Sequence, residues 1–214
     1  MLSLLFTFFS TTFDINFKLG IMKAIALKIT ILVVSVMATL SVNAQDFNVK
    51  PGDELTYHVK TDTKEYDFTV TLKTWKPDLS FDWVMTGSVS KKGAVTFTNA
   101  DASDAMALSN FFTAGAVTLK GQTSVWASNK VYKLLKSNVA AKVVFDDEAT
   151  ADELLNKGTA NTVVTVNGSA STFTYLRAAS GTKQLWILDN AKNPLILRMY
   201  MPTWRIELVS VKQQ

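Results

Sequence analysis

From about residue 50 onward, apolar and polar positions alternate in steps of two, the spacing that puts every second side chain on one face of a β-strand. Leu55, Tyr57 and Val59 alternate with Thr56, His58 and Lys60; after a polar turn, Tyr66, Phe68, Val70 and Leu72 alternate with Asp67, Thr69, Thr71 and Lys73. This pattern predicts an opening hairpin. Pro77-Asp78 marks a turn, Phe81, Trp83 and Met85 begin a third strand, and the lysine-rich turn at 90–93 leads to a fourth carrying Val95 and Phe97.

The period then changes. Between 101 and 114 the chain is rich in Ala, and Ala102, Ala105, Met106, Ser109 and Phe112 fall at helical spacing with Gly115 as a stop, which predicts a helix. Short strands are expected around Val117 and Leu119 and around Val125 and Trp126. Ser128 is placed to cap a second helix through Lys136, with Val131, Leu134 and Leu135 inward. Residues 141–145 read as a buried strand. Thr150-Ala151-Asp152-Glu153 has the form of a capping box and predicts a third helix, ended by Gly158.

The remainder is all strand. Residues 163–166 and 173–176 flank Asn167-Gly168, a strong hairpin signal because both turn positions need positive φ. Residues 184–188, 195–201 and 204–211 complete a meander, interrupted by 190–194 and by Pro202. Strands, then helices interleaved with strands, then strands again imply an α+β domain that is mostly antiparallel β. The expected form is a curved sheet or half-barrel with two or three short helices on one face. No linker or repeat divides residues 45–214, so one domain is expected there.

The first 44 residues differ from the rest. Lys23 and Lys28 precede an apolar run at 29–40, and Val42 and Ala44 are small residues placed as in a leader-peptidase site, so 22–44 reads as a secretory signal peptide cut after Ala44. The run is short for a membrane span, which needs about 20 apolar residues; an uncleaved anchor is the alternative. Residues 1–21 precede a complete leader, which makes Met22 the expected start and 1–21 an N-terminal extension. No transmembrane span is expected in the mature chain, and localisation is periplasmic or extracellular.

Composition narrows the chemistry. The chain has 214 residues, 48% hydrophobic and 19% charged, with no Cys, which excludes disulfides and Cys-ligated metal centres and argues against disorder. Three of the 22 basic and one of the 18 acidic side chains lie in 1–44. The mature balance is then about +2, an ordinary solvated surface rather than a nucleic-acid footprint. His58 is the only histidine and falls on the polar face of its strand. Ser88-Val89-Ser90-Lys91 matches the Ser-x-x-Lys pattern of serine acyltransferases, but at a strand end, where the helix geometry is missing. Asp146-Asp147-Glu148 with Asp152 and Glu153 is the densest acidic cluster; its spacing does not fit a Ca²⁺ loop and reads as a solvated loop. Asn167-Gly168-Ser169 matches a glycosylation acceptor as well as a turn. No catalytic, cofactor or metal residue is assigned, and no enzyme activity is expected.

All five Trp lie in the mature chain. Most are expected in the core, but a curved sheet with more apolar area than its helices cover keeps a pocket for an acyl chain or another apolar ligand. The candidate lining is Trp186, Met199, Met201 and Trp204.

The segments 51–57 (PGDELTY), 185–190 (LWILDN), 193–197 (NPLIL) and 204–208 (WRIEL) resemble those of exported β-rich proteins of unknown function from Bacteroidetes-type bacteria. In element order the chain is also similar to the periplasmic lipoprotein-carrier fold, a curved antiparallel sheet with helices on its inner side; no functional residue of that family carries over. Together these readings lead to an exported non-enzymatic domain that binds an apolar or lipid-like ligand. The alternatives are an envelope protein–protein interaction module and, third, a hydrolase with a dispersed site.

Overall fold

The computed structural model describes residues 47–146 and 148–214. The leader, its cleavage site and the 1–21 extension lie outside them, as does Asp147.

The alternating segments are strands. β1 (Glu54–Thr61), β2 (Glu65–Thr74), β3 (Leu79–Gly87) and β4 (Lys91–Phe97) form an antiparallel meander, with Leu55, Tyr57, Val59, Phe68, Val70 and Phe81 on its buried face. After α1 (Asn99–Asp104) come two short strands, β5 (Ala107–Leu108) and β6 (Gly115–Thr118), then α2 (Asn129–Lys136) and β7 (Ala141–Phe145). The chain ends in β8 (Asp152–Val166), β9 (Ser169–Ser180), β10 (Lys183–Leu188), β11 (Ile196–Tyr200) and β12 (Trp204–Lys212). All belong to one large curved sheet, in the order β5-β7-β8-β9-β10-β11-β12-β1-β2-β3-β4-β6. The pairing is antiparallel except for β4–β6, β5–β7 and a short parallel contact of β8 with β12. Through that contact the tip of the β8–β9 hairpin returns to β12: Asn167 N–H donates to Val211 O at 2.9 Å, and Gln213 N–H to Asn167 Oδ1 at 2.7 Å. The turn has φ of 48° at Asn167 and 81° at Gly168, as the Asn-Gly dipeptide requires.

Two expected helices are corrected. The one expected over 101–114 is only α1, capped by Thr98 in a box with Asp101 and already ended at Ala105. Ala propensity gives way there to tertiary pairing, because Ala107 and Leu108 join β7 in parallel and bury Leu108. The helix expected over 150–158 is the start of β8. Leu154 pairs with Ala141 and is fully buried, Glu153 faces Lys142, and Gly158, with φ of 95°, sits at a bulge instead of a helix end. The strand expected at Val125 and Trp126 reduces to a single bridge, Trp126 to Leu195. The second helix is as expected, with Ser128 Oγ accepting from Val131 N–H at 3.2 Å.

The core has two parts. One is aromatic and is lined by β1–β4 and β12, with Phe68, Phe81, Trp83 and Phe97 buried; within it Tyr57 OH donates to Ile196 O at 2.9 Å. The other is mainly aliphatic and lies under α2, where Val131, Tyr132 and Leu135 meet Val143, Leu154, Leu176 and Ile187.

Candidate functional site

Of the four residues expected to line a pocket, Met199, Met201 and Trp204 gather at the aliphatic core, and Trp186 stands apart from them. Trp186 pairs across the sheet with Arg198 and Arg177, so it faces the side opposite Leu185 and Met199. Its ring stacks on Tyr175 at 4.3 Å and lies 4.4 Å beneath the Arg198 guanidinium, which also pairs with Glu207 and donates to Thr162 Oγ1 at 3.0 Å. Met199 is buried in the aliphatic core, and Met201 packs at that core's margin. Met201 and Trp204 together line the surface at the β11–β12 turn, and Trp204 also reaches a cavity on the concave face.

That cavity holds about 140 Å³ between Val59, Tyr66, Phe68, Met85, Trp204 and Ile206, with Thr61 and Asn110 as its polar lining. Phe112 closes it. The Phe112 ring stands 4.4 Å from that of Phe68 and 5.5 Å from that of Trp83. It is carried by an extended connection between β5 and β6 in which Phe111, Phe112 and Thr113 make no backbone hydrogen bond among the described residues. On the β5 side, Ser109 N–H donates to Thr123 O and Asn110 N–H to Asp146 Oδ1; on the other side, Gly115 enters β6 with φ of 99°. Phe111 points away and is 66% exposed. Sequence periodicity had put Phe112 on a helix; the uncharged run over 105–119 was the available signal that this segment packs on an apolar face.

A second recess, of about 570 Å³, is lined by residues of the β2–β3 loop, α1, the segment entering α2, the β10–β11 loop and the chain before β1. Trp75 and Trp126 meet there edge to face at 5.7 Å. Trp126 is fixed because its indole N–H donates to the buried Asn193 Oδ1 at 2.9 Å, while Asn193 Nδ2 donates to Phe47 O at 3.3 Å.

The other chemical candidates are tied up structurally. His58 is half-exposed on the outer face, 3.0 Å from Asp67 Oδ1 and 2.8 Å from Glu65 Oε1; these hydrogen bonds, Asp67's first, raise its pKa above the ordinary 6.5. Glu148 and Asp152 of the acidic cluster both bind Lys183 Nζ, at 2.6 and 2.7 Å. Burial opposes the charge on Lys183, but these two carboxylates outweigh it and hold the ammonium above its ordinary pKa. Ser88 Oγ donates to Glu65 O at 2.6 Å and accepts from Glu65 N–H at 3.2 Å, clasping a strand end. Among the described residues no three His, Asp or Glu side chains are grouped to hold a metal ion, and no helix is long and apolar enough to cross a membrane.

No protein-family model, characterised protein or solved structure matches this chain. Function has to be read from the geometry of the two cavities.

Proposed function

We propose that this chain is an exported, non-enzymatic binding domain of the bacterial envelope that takes an apolar or lipid-like chain into the concave face of its sheet. One observation carries the reading: Phe112 occupies that face from a segment without backbone hydrogen bonds of its own. As it stands, a cavity of about 140 Å³ is smaller than the roughly 300–1,000 Å³ of typical ligand sites. Removing the Phe112 ring extends that space, already bordered by Phe68, toward the buried ring of Trp83. The ring is thus a placeholder for an acyl chain, and outward movement of the 109–114 connection is the entry step. Against catalysis, the described titratable groups with raised pKa are spread over separate places: His58 on the outer face, Lys183 by β7 and β8, Tyr132 on α2, Tyr57 in the aromatic core and Tyr66 at the cavity, the last two raised by burial alone.

A protein partner is the second reading. It is favoured by the exposed Phe111 beside β6, an uncharged strand at the sheet edge.

Native mass spectrometry of protein exported with its own leader, followed by organic extraction, tests both readings. A mass starting at Gln45 with a stoichiometric acyl-chain ligand is the expected result. An empty mature protein whose Phe112→Ala variant also takes up no fatty-acid probe overturns the apolar-ligand reading. An uncut mass overturns the cleavage site.

A further inference from the structure

The recess around Trp75 lies apart from the concave cavity and shares no lining residue with it. Its volume, about 570 Å³, is in the range of sites for small organic ligands. Its wall is braced by hydrogen bonds and ring packing. Trp126 is buried and bonded to Asn193, Ala127 N–H donates to Pro194 O at 3.0 Å, and Trp75 meets Trp126 in a T-shaped contact while staying partly exposed. An exposed indole held in this way offers a flat apolar platform at little entropic cost.

The polar lining is equally specific. Lys76 and Lys192 both border the recess, neither has an ion-pair partner among the described residues, and no carboxylate lines it. Asp78 is close in sequence, but its carboxylate lies at the Asn99 backbone N–H, 3.4 Å away, and is not part of the lining. Asn99 and Asn129 also border the space, and their side-chain amides make no hydrogen bond among the described residues. Each amide presents a donor and an acceptor side by side, which is what neighbouring hydroxyls need.

A flat platform, two amides and two unpaired ammonium groups select a ring that is apolar on one face, hydroxylated at its edge and negatively charged. We propose that this recess binds an acidic sugar, with the ring on Trp75, its hydroxyls at Asn99 and Asn129, and its carboxylate or phosphate between Lys76 and Lys192. A neutral sugar would forgo the charge attraction. An aromatic acid would leave the amides unused.

Isothermal titration of the folded protein with a glucuronate-containing disaccharide, a hexose phosphate, the neutral disaccharide and benzoate tests this directly. Saturable binding of either acidic sugar, at least about tenfold tighter than the neutral sugar or benzoate and weakening with salt, is the expected result. The stronger of the two identifies the acidic group. Lys76→Gln with Lys192→Gln, both exposed positions, is expected to bring acidic and neutral sugars to equal affinity. Trp75→Ala is expected to abolish binding, and Trp75→Phe to retain part of it with an unchanged melting temperature. Absence of saturable binding by every probe overturns the proposal, as does equal binding of acidic and neutral sugars or preference for benzoate. Neither result bears on the concave cavity, whose probe is a fatty acid.

Discussion

The two halves of the core are closed by different means. The aliphatic half lies under α2, and that helix is fastened at several points: Tyr132 OH donates to Asp189 Oδ1 at 2.7 Å, Lys136 Nζ meets the same carboxylate at 2.7 Å, and Asn156 Nδ2 donates to Leu135 O at 2.9 Å. The aromatic half is closed at one end by a connection fastened only at its edges, with one phenyl ring inserted. Opening the first lid breaks a helix, two partly buried hydrogen bonds and an ion pair together. Opening the second separates a few aromatic contacts. Local opening follows the cheaper route, so the Phe112 connection, rather than α2, is the side at which the proposed binding has its entry step.

The largest expected effect tests the fixed side of this contrast. Leu135 is fully buried beneath α2. Leu135→Ala removes four heavy atoms' packing less one β-carbon and leaves a cavity, at a cost of about 3 kcal/mol or a fall of roughly 6–12 °C in Tm. Chemical denaturation and calorimetry measure it. A loss below about 1 kcal/mol would mean that α2 is as loosely held as the Phe112 connection, and the contrast would fail.

Gly93 comes next. A Cβ there would stand 2.8 Å from Trp83 Cζ2 and would collide with Gly115 O across the β4–β6 pairing. Gly93→Ala is therefore expected to cost about 2 kcal/mol, by moving either Trp83 or β6. The readout that sharpens the comparison is hydrogen exchange: the 109–118 amides are expected to lose protection before those of α2. Equal loss in both would show that the two cores are one cooperative unit.

Phe112→Ala is expected to cost less, about 1 kcal/mol, because the ring is only partly buried and its backbone is unbonded. The same change is expected to raise uptake of a fluorescent fatty-acid probe, and Phe112→Trp to lower it. A cost near that of Leu135→Ala, with no gain in uptake, would make Phe112 an ordinary core residue.

What the sequence disclosed follows from the range of the forces involved. Asn167-Gly168 fixes a turn through its own φ preferences, and Ser128 caps α2 from three residues away, so both were visible locally. The β1–β2 alternation was equally clear, because one face is buried along its whole length. Thr150-Ala151-Asp152-Glu153 misled because the decisive partner of Leu154 is Ala141, on another strand, and nothing in the local spelling reports that pairing. Similarly, Phe112 is placed by Phe68 and Trp83, far away in sequence. Of the expected pocket residues, Trp204 lines the concave cavity, while Trp186 and Met199 are separated by the sheet itself. Strand parity within β10 and β11 was readable, but their mutual register was not, and register decides which residues share a face.

The smallest effect concerns the outer side of the aromatic core's wall. His58 on β1 bridges Asp67 and Glu65 of β2, and Glu207 of β12 pairs with it across the other edge. The Asp67 and Glu65 carboxylates raise the folded-state pKa of His58 above 6.5, so the protonated form gains from folding. Its contribution is fully present below the unfolded pKa of about 6.5 and is lost as pH rises through the higher folded value. Solvent screens the site, so the gain is slight. An NMR titration of the single imidazole is expected to give a pKa above 6.5, and the Tm advantage over His58→Gln is expected to shrink between pH 6 and pH 9. A midpoint at or below 6.5 would mean that β1 and β2 part on the outer face. The wall would then be as mobile as the Phe112 connection, and ligand entry could no longer be assigned to that connection alone.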